Sequence, residues 1–179
     1  MKYISLLRGI NVSGKNSIKM DALKKVFETL KSKNVSTYIQ SGNVVFEHNE
    51  TDLKALEKKI AARILSDFGL EVPVLVLTGQ KLKQVVDDNP FANDKPKDIS
   101  FLHVTFLSER PADNKTESIQ DSKTEFEEIA FGDNAIYLYC PNGYGRTKLN
   151  NNFLENKLKV QATTRNWKTT LKLLEMVDG

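Results

Sequence analysis

Hydrophobic positions change period along the chain, and the changes mark its elements. Tyr3, Leu6 and Leu7 make the run from Lys2 to Leu7 a short strand, after which a loop rich in Gly and Asn continues to Lys19. Met20, Leu23, Val26, Phe27 and Leu30 then fall on one helical face, brought to an end by Lys31, Lys33 and Asn34. Val35 to Gln40 and Asn43 to Phe46 are β-rich runs around Ser41 and Gly42, the composition of a tight hairpin. Leu53, Leu56, Ile60 and Ile64 predict a second helix, with Thr51 and Asp52 suited to its start and Gly69 to its end. Val72 to Leu77 is again a strand.

The order β, α, β, β, α, β is that of the split βαβ, or ferredoxin-like, arrangement. It partly recurs. A connecting helix from about Gly79 to Asp88 stops before Asn89 and Pro90, and Ile99 to Leu107 is a strand. Ala112 to Gln120 can be helical, Glu125 to Phe131 and Ala135 to Cys140 are strands joined at Gly132 and Asp133, and Lys148 to Leu158 is a helix. The chain thus reads as α+β, in two ferredoxin-like (βαββαβ-type) halves. The first spans residues 1–78, a connecting helix and loop span 79–98, and the second spans 99–179. In that second half the last strand is expected to be reduced, with an extra C-terminal helix from Thr164 to Val177.

Composition removes several classes. With 179 residues, 40% of them hydrophobic, the chain can bury one sizeable core or two small ones. No window approaches the ~18 apolar residues of a membrane span, and Met1 to Ser5 enters a strand without the features of a signal peptide, so a cytoplasmic location and no membrane partner are expected. The single Cys140 forbids an internal disulfide, and His48 and His103 offer no metal-ligand spacing, so neither metal nor cofactor is expected. Nothing in the pattern specifies an oligomeric state. Basic residues outnumber acidic ones 14 to 8 over residues 1–86 and 7 to 3 over 134–179, but acids lead 12 to 5 over 87–133. Such a layout suits an anionic ligand or simply solvates helix faces.

Gly9, Ile10, Asn11, Val12, Ser13, Gly14, Lys15, Asn16 meets the phosphate-loop pattern except at its end, where Asn16 replaces the hydroxyl that binds magnesium. The helix also begins about four residues after Lys15, which argues against a nucleotide triphosphatase. A loop with Lys15, Lys19 and exposed backbone N–H groups can still hold a phosphate or carboxylate, or it can be a plain connection. Topology brings the first strand's end beside the start of the third, so Arg8 and its loop should meet Gln40, Ser41 and Asn43. Gly143, Tyr144, Gly145, Arg146, Thr147, Lys148 is a second candidate anion loop, and Thr163 to Trp167 a third polar cluster read as a helix start. Cys140 suits a packed thiol and Trp167 a core position.

Four of these runs resemble the uncharacterised bacterial domain-of-unknown-function family 1697. They are Leu7 to Met20, Thr37 to Phe46, Gly143 to Leu149 with Asn152 and Phe153, and Ala162 to Trp167. Ser13 stands where a glycine is expected and Thr147 where serine is common. The resemblance implies an α+β fold with ferredoxin-like parts and supplies no activity, because none is established for the family. Read from the residues, the leading expectation is a binding module for a phosphate-bearing small molecule or nucleic acid. Its ligand-binding residues are Arg8, Asn11, Lys15, Asn16, Gln40, Ser41, Asn43, Arg146 and Lys148. The alternatives are an enzyme acting on a phosphorylated small molecule, whose catalytic residues the sequence does not single out, and a structural or protein-interaction domain.

Overall fold

The computed structural model describes residues 1–94, 97–112 and 116–179. The chain runs β1 (Lys2–Leu7), α1 (Met20–Thr29), β2 (Lys33–Tyr38), β3 (Asn43–Glu47), α2 (Leu53–Phe68), β4 (Val74–Thr78), α3 (Gly79–Asp87). It continues with β5 (Leu102–Leu107), α4 (Thr116–Gln120), β6 (Glu128–Phe131), β7 (Ala135–Tyr139), α5 (Asn151–Leu158), β8 (Ala162–Asn166), α6 (Trp167–Asp178). Among the described residues these form six helices and two four-stranded antiparallel sheets, ordered β2-β3-β1-β4 and β6-β7-β5-β8. Two units result: Met1–Leu82 with Leu173–Gly179, and Lys83–Lys172.

In the first unit, α2 shows how local signals become a core. Asp52 accepts a hydrogen bond from the Ala55 N–H at 3.0 Å, and Gly69 ends the helix in the left-handed conformation, φ 68°. Between them Leu56, Ile60 and Ile64 are fully buried with Leu23 and Phe27 of α1 against Tyr3, Leu7, Val44, Phe46, Val74 and Val76 of the sheet. Each such side chain contributes about 1.5–3 kcal/mol of burial. Ile4, Leu6, Val45, Leu75 and Leu77 on the opposite sheet face are buried as well, which explains why β1, β3 and β4 read as nearly continuous apolar runs. The second unit packs Leu107, Ile136 and Leu138 with Leu149, Leu154 and Leu158.

The two sheets repeat each other rung by rung. Tyr3, Ser5 and Leu7 lie opposite Thr78, Val76 and Val74; His103, Thr105 and Leu107 lie opposite Asn166, Thr164 and Ala162. The Leu7 N–H donates to Gly42 O at 2.8 Å and the Leu107 N–H to Asn134 O at 2.9 Å; Arg8 N donates to Pro73 O and Ser108 N to Gln161 O. Asp52 caps α2 as Asn150 caps α5. Thr78 Oγ1 accepts from Lys81 N at 3.1 Å beside α3, and Asn166 Oδ1 accepts from Thr169 N at 2.8 Å beside α6. The final helix therefore has a counterpart at the end of the first repeat.

Several expectations change. The last strand of the second half is not reduced: β8 pairs with β5 over five residues, as many as β4 pairs with β1. Its Thr163 and Thr164 are β-branched and sit well on a pleated sheet, and Asn166 starts the helix at Trp167, not Thr164. The predicted hairpin at Ser41 and Gly42 is a wider loop, because β2 ends at Tyr38 and Ile39 turns left-handed, φ 48°. The helix expected from Lys148 begins at Asn151, after a 3-10 turn at Tyr144–Arg146. Strand β6 starts at Glu128, and the helix expected from Ala112 is seen from Thr116, with residues 113–115 lying outside the described part.

Candidate functional site

The loop after β1 is closed by its own asparagines. The Asn11 Nδ2 group donates to Ile18 O at 2.9 Å and to Gln40 O at 2.8 Å, while Asn11 Oδ1 accepts from Ile18 N at 2.8 Å. Asn16 Nδ2 donates to Gly9 O at 2.9 Å, and its carbonyl accepts from Asn11 N. Five residues of this loop, Gly9, Asn11, Ser13, Gly14 and Asn16, have positive φ, which Asn tolerates better than other side-chain-bearing residues. The neighbouring loop is held by Asn43, fully buried, whose Nδ2 donates to Tyr38 O at 3.1 Å and Ser41 Oγ at 2.8 Å. Gly42 has φ +82°, and a Cβ there would come within 2.6 Å of Leu7 Cβ, so the two loops approach as closely as backbone allows.

Arg8, Asn11, Lys15, Asn16, Gln40, Ser41 and Asn43 thus share one end of the first sheet, where topology predicted them. Their roles divide. The Asn11, Asn16 and Asn43 amides hold the loops, and Arg8 is half-buried with its backbone N–H on Pro73 O. Lys15, Lys19 and Gln40 are exposed, and neither lysine forms an ion pair with the described residues. A cavity of about 250 Å³ opens between the loops, lined by Asn11, Ser17, Ile18, Lys19, Met20, Asp21 and Gln40. Helix α1 starts in this lining with no side-chain cap. Val12 and Ile39 stand 57% and 51% exposed beside it, and Ile39, β-branched and left-handed, carries strain of order 1–2 kcal/mol.

Arg146 and Lys148 lie in the second unit, on the β7–α5 connection, exposed and likewise without an ion pair among the described residues. Sequence reasoning missed what this turn touches. The Tyr144 ring stacks on His103, centroids 4.8 Å apart and planes 21° from parallel. Burial lowers the His103 pKa, with the Phe101 carbonyl opposing. Desolvation pulls Arg165 down to about 10, with Tyr144 raising it, so it stays charged at neutral pH. A signal existed in the connection's length: eleven residues, Cys140 to Asn150, against five, His48 to Asp52, in the first repeat.

The remaining candidates are structural. His48 accepts from Glu50 N at Nδ1 (2.9 Å), so its Nε2 carries the proton given to Leu30 O at 3.0 Å. Cys140 is buried, and that burial, with Glu127 nearby, pushes its thiol up to about 12 despite a hydrogen bond with Thr147, so thiolate chemistry is unavailable. Trp167 is buried. Among the described residues no cluster of His, Cys, Asp or Glu could hold a metal, and no helix is long and apolar enough to cross a membrane.

The fold is similar to that of the conserved bacterial protein SP0830 from Streptococcus pneumoniae, with a TM-score of 0.76 and 23% identity over 98% of each chain. No curated protein matches the sequence. A family model described as a protein of unknown function (DUF1697) matches residues 1–137, which include the Arg8–Asn16 and Gln40–Asn43 loops. The chain belongs to this DUF1697 family.

Proposed function

We propose that the first unit is a binding module for a phosphate-bearing ligand, a small nucleotide or a nucleic-acid segment, held at the cavity between the Arg8–Lys19 and Ile39–Asn43 loops. The observation that carries this reading is the combination of a pre-locked loop with uncommitted cations. Asn11 and Asn16 fix the backbone, while Lys15 and Lys19 are left without carboxylate partners. Within the cavity lining Asp21 offsets Lys19, and the balance is tipped toward anions by the uncapped N-terminus of α1 and by Lys15 on the loop tip. In the matching region of the second unit Arg110 is instead paired to Asp133 at 3.7 Å. The strand orders and the β, α, β, β, α, β succession support reading each unit as a ferredoxin-like half. A cytoplasmic location belongs to the same reading, supported by the unpaired thiol of Cys140.

A thermal-shift screen of nucleotides, phosphorylated metabolites and short oligonucleotides tests it. Stabilisation that falls with salt and disappears in Lys15→Gln/Lys19→Gln is expected. An absence of stabilisation by every phosphate compound, or stabilisation indifferent to both lysines, rejects the reading.

A further inference from the structure

The cavity between the loops 8–19 and 39–43 holds a carboxylate as well as a cation, which a site for bare phosphate would not need. Asp21 and Lys19 both line it, together with Ser17 and Gln40. None of these side chains makes a hydrogen bond or ion pair among the described residues, and the bond that Gln40 receives from Asn11 at 2.8 Å goes to its backbone carbonyl. The loops are complete without them, since the amides of Asn11, Asn16 and Asn43 supply the closing bonds. Apolar surface adjoins this polar set. Val12 follows Asn11 and Ile39 precedes Gln40, so each is chained to one end of the bond that joins the loops, and each is more than half exposed. Ile39 is held at φ 48°, a costly conformation for a β-branched residue.

An ionised carboxylate only accepts hydrogen bonds, so a ligand group that meets Asp21 has to donate. With Lys15 and Lys19 on the same loop, a hydroxyl suits that place better than a second ammonium. A carboxamide both donates and accepts, as the edge of a nucleobase does, and adenine is the base that a Gln amide meets with two parallel bonds. Exposed aliphatic side chains suit a ring face that leaves water. At about 250 Å³ the cavity is smaller than the roughly 300–1,000 Å³ that encloses a whole drug-sized ligand, so part of a nucleotide would stay at the rim. We propose that the ligand of this cavity is a ribonucleoside 5′-phosphate: Lys19, with Lys15, holds the phosphate, Asp21 accepts from the ribose hydroxyls, and the Gln40 amide pairs with the base edge. This inference rests on the reading of the cavity as a phosphate site and narrows it to one class, leaving out phosphorylated metabolites that lack a base.

Calorimetric titration of the full chain with AMP, 2′-deoxy-AMP and ribose 5-phosphate tests it. AMP should bind, and the deoxynucleotide and the sugar phosphate should each bind about tenfold more weakly. Asp21→Ala should abolish the difference between AMP and 2′-deoxy-AMP, and Gln40→Ala the difference between AMP and ribose 5-phosphate. Both substitutions change exposed side chains, so unfolding midpoints near that of the wild type should accompany them. A short adenine-only RNA is titrated alongside: tighter binding than AMP identifies a strand as the source of the nucleotide, and equal or weaker binding a free nucleotide. Equal affinity for AMP, 2′-deoxy-AMP and ribose 5-phosphate, or a preference for AMP that survives in both variants, would overturn the nucleotide assignment and leave in place any phosphate binding that Lys15→Gln/Lys19→Gln abolishes. Lysine-dependent binding of other phosphate compounds without binding of AMP would do the same. If no phosphate compound binds, the phosphate reading itself fails, and this one with it.

Discussion

Asn11 makes three hydrogen bonds from one side chain: the two with Ile18 close its own loop, and the one to Gln40 O ties that loop to the β2–β3 loop. Replacing it with Ala removes them and places a residue with little tolerance for φ 54° at that point, so Asn11→Ala should destabilise by about 2–3 kcal/mol in urea denaturation. Lys15→Ala touches no bond and should stay within about 0.5 kcal/mol of wild type while losing anion-dependent stabilisation. Equal effects of the two would mean that loop architecture and ligand binding are not divided as described. His103 adds a pH signature. Burial holds its folded pKa below the ordinary 6.5, so between the two values the unfolded chain binds more protons and stability rises with pH. Stability should fall as pH drops through that ordinary value and level off below the folded pKa. Glu50 and Asp98 are lowered from 4.5 and 3.8, so the stability they contribute is lost only as pH falls below the ordinary carboxylate values. His103→Asn should flatten the slope just below the ordinary value of 6.5 in denaturation curves; an unchanged slope would assign it to another group.

At the scale of elements, each repeat guards the outer edge of its sheet with a glutamate from its second helix. Glu57 of α2, nearly buried, accepts from Val76 N at 3.0 Å, and Glu155 of α5 accepts from Ala162 N at 2.9 Å. The outward N–H groups of β4 and β8 would otherwise lack a strand partner at these points. Glu57→Ala should therefore cost about 1–3 kcal/mol. Glu57→Gln should cost less, since its amide oxygen still accepts from Val76 although the pairing with Lys54 at 3.0 Å is lost. Urea denaturation of both variants separates the two terms, and equal losses would make the charge the dominant one. Helix α2 was legible from cap to cap because Asp52, the apolar stripe and Gly69 are local signals. Strand β8 was not, because Ala162–Asn166 is polar and its strand character comes from pairing with β5, sixty residues earlier by register. The convergence of Arg8 with Gln40–Asn43 followed from topology. That Asn11 and Asn43 would spend their amides on the loops did not, since hydrogen-bond partners depend on three-dimensional distance. The His103–Tyr144 stack was hidden for the same reason.

Across the whole chain, a repeated pattern of strand, helix and cap is given different surfaces: basic residues prevail over 1–86, acids over 87–133 and bases again over 134–179. The repeat keeps the strand register and the helix starts, whereas loop lengths, charges and the side chains where β5 begins and β8 ends differ between the two units. The chain's last residues, Leu173–Gly179, rejoin the first unit. There Lys2 Nζ donates to Val177 O at 2.9 Å, and a Cβ on Gly79 would collide with Val177 Cγ1. Helix propensity alone would make Gly79→Ala stabilising by up to about 1 kcal/mol at the start of α3. Packing opposes it, because an inserted methyl with nowhere to go costs about 1–3 kcal/mol. We expect packing to win, so Gly79→Ala should lower the unfolding temperature. Val177→Ala should be destabilising on its own through lost burial. The double variant should be more stable than the sum of the two predicts, since the second change makes room for the first. A Gly79→Ala protein that melts higher than wild type, with additive effects in the double variant, would show that the final turn of α6 does not pack on Gly79.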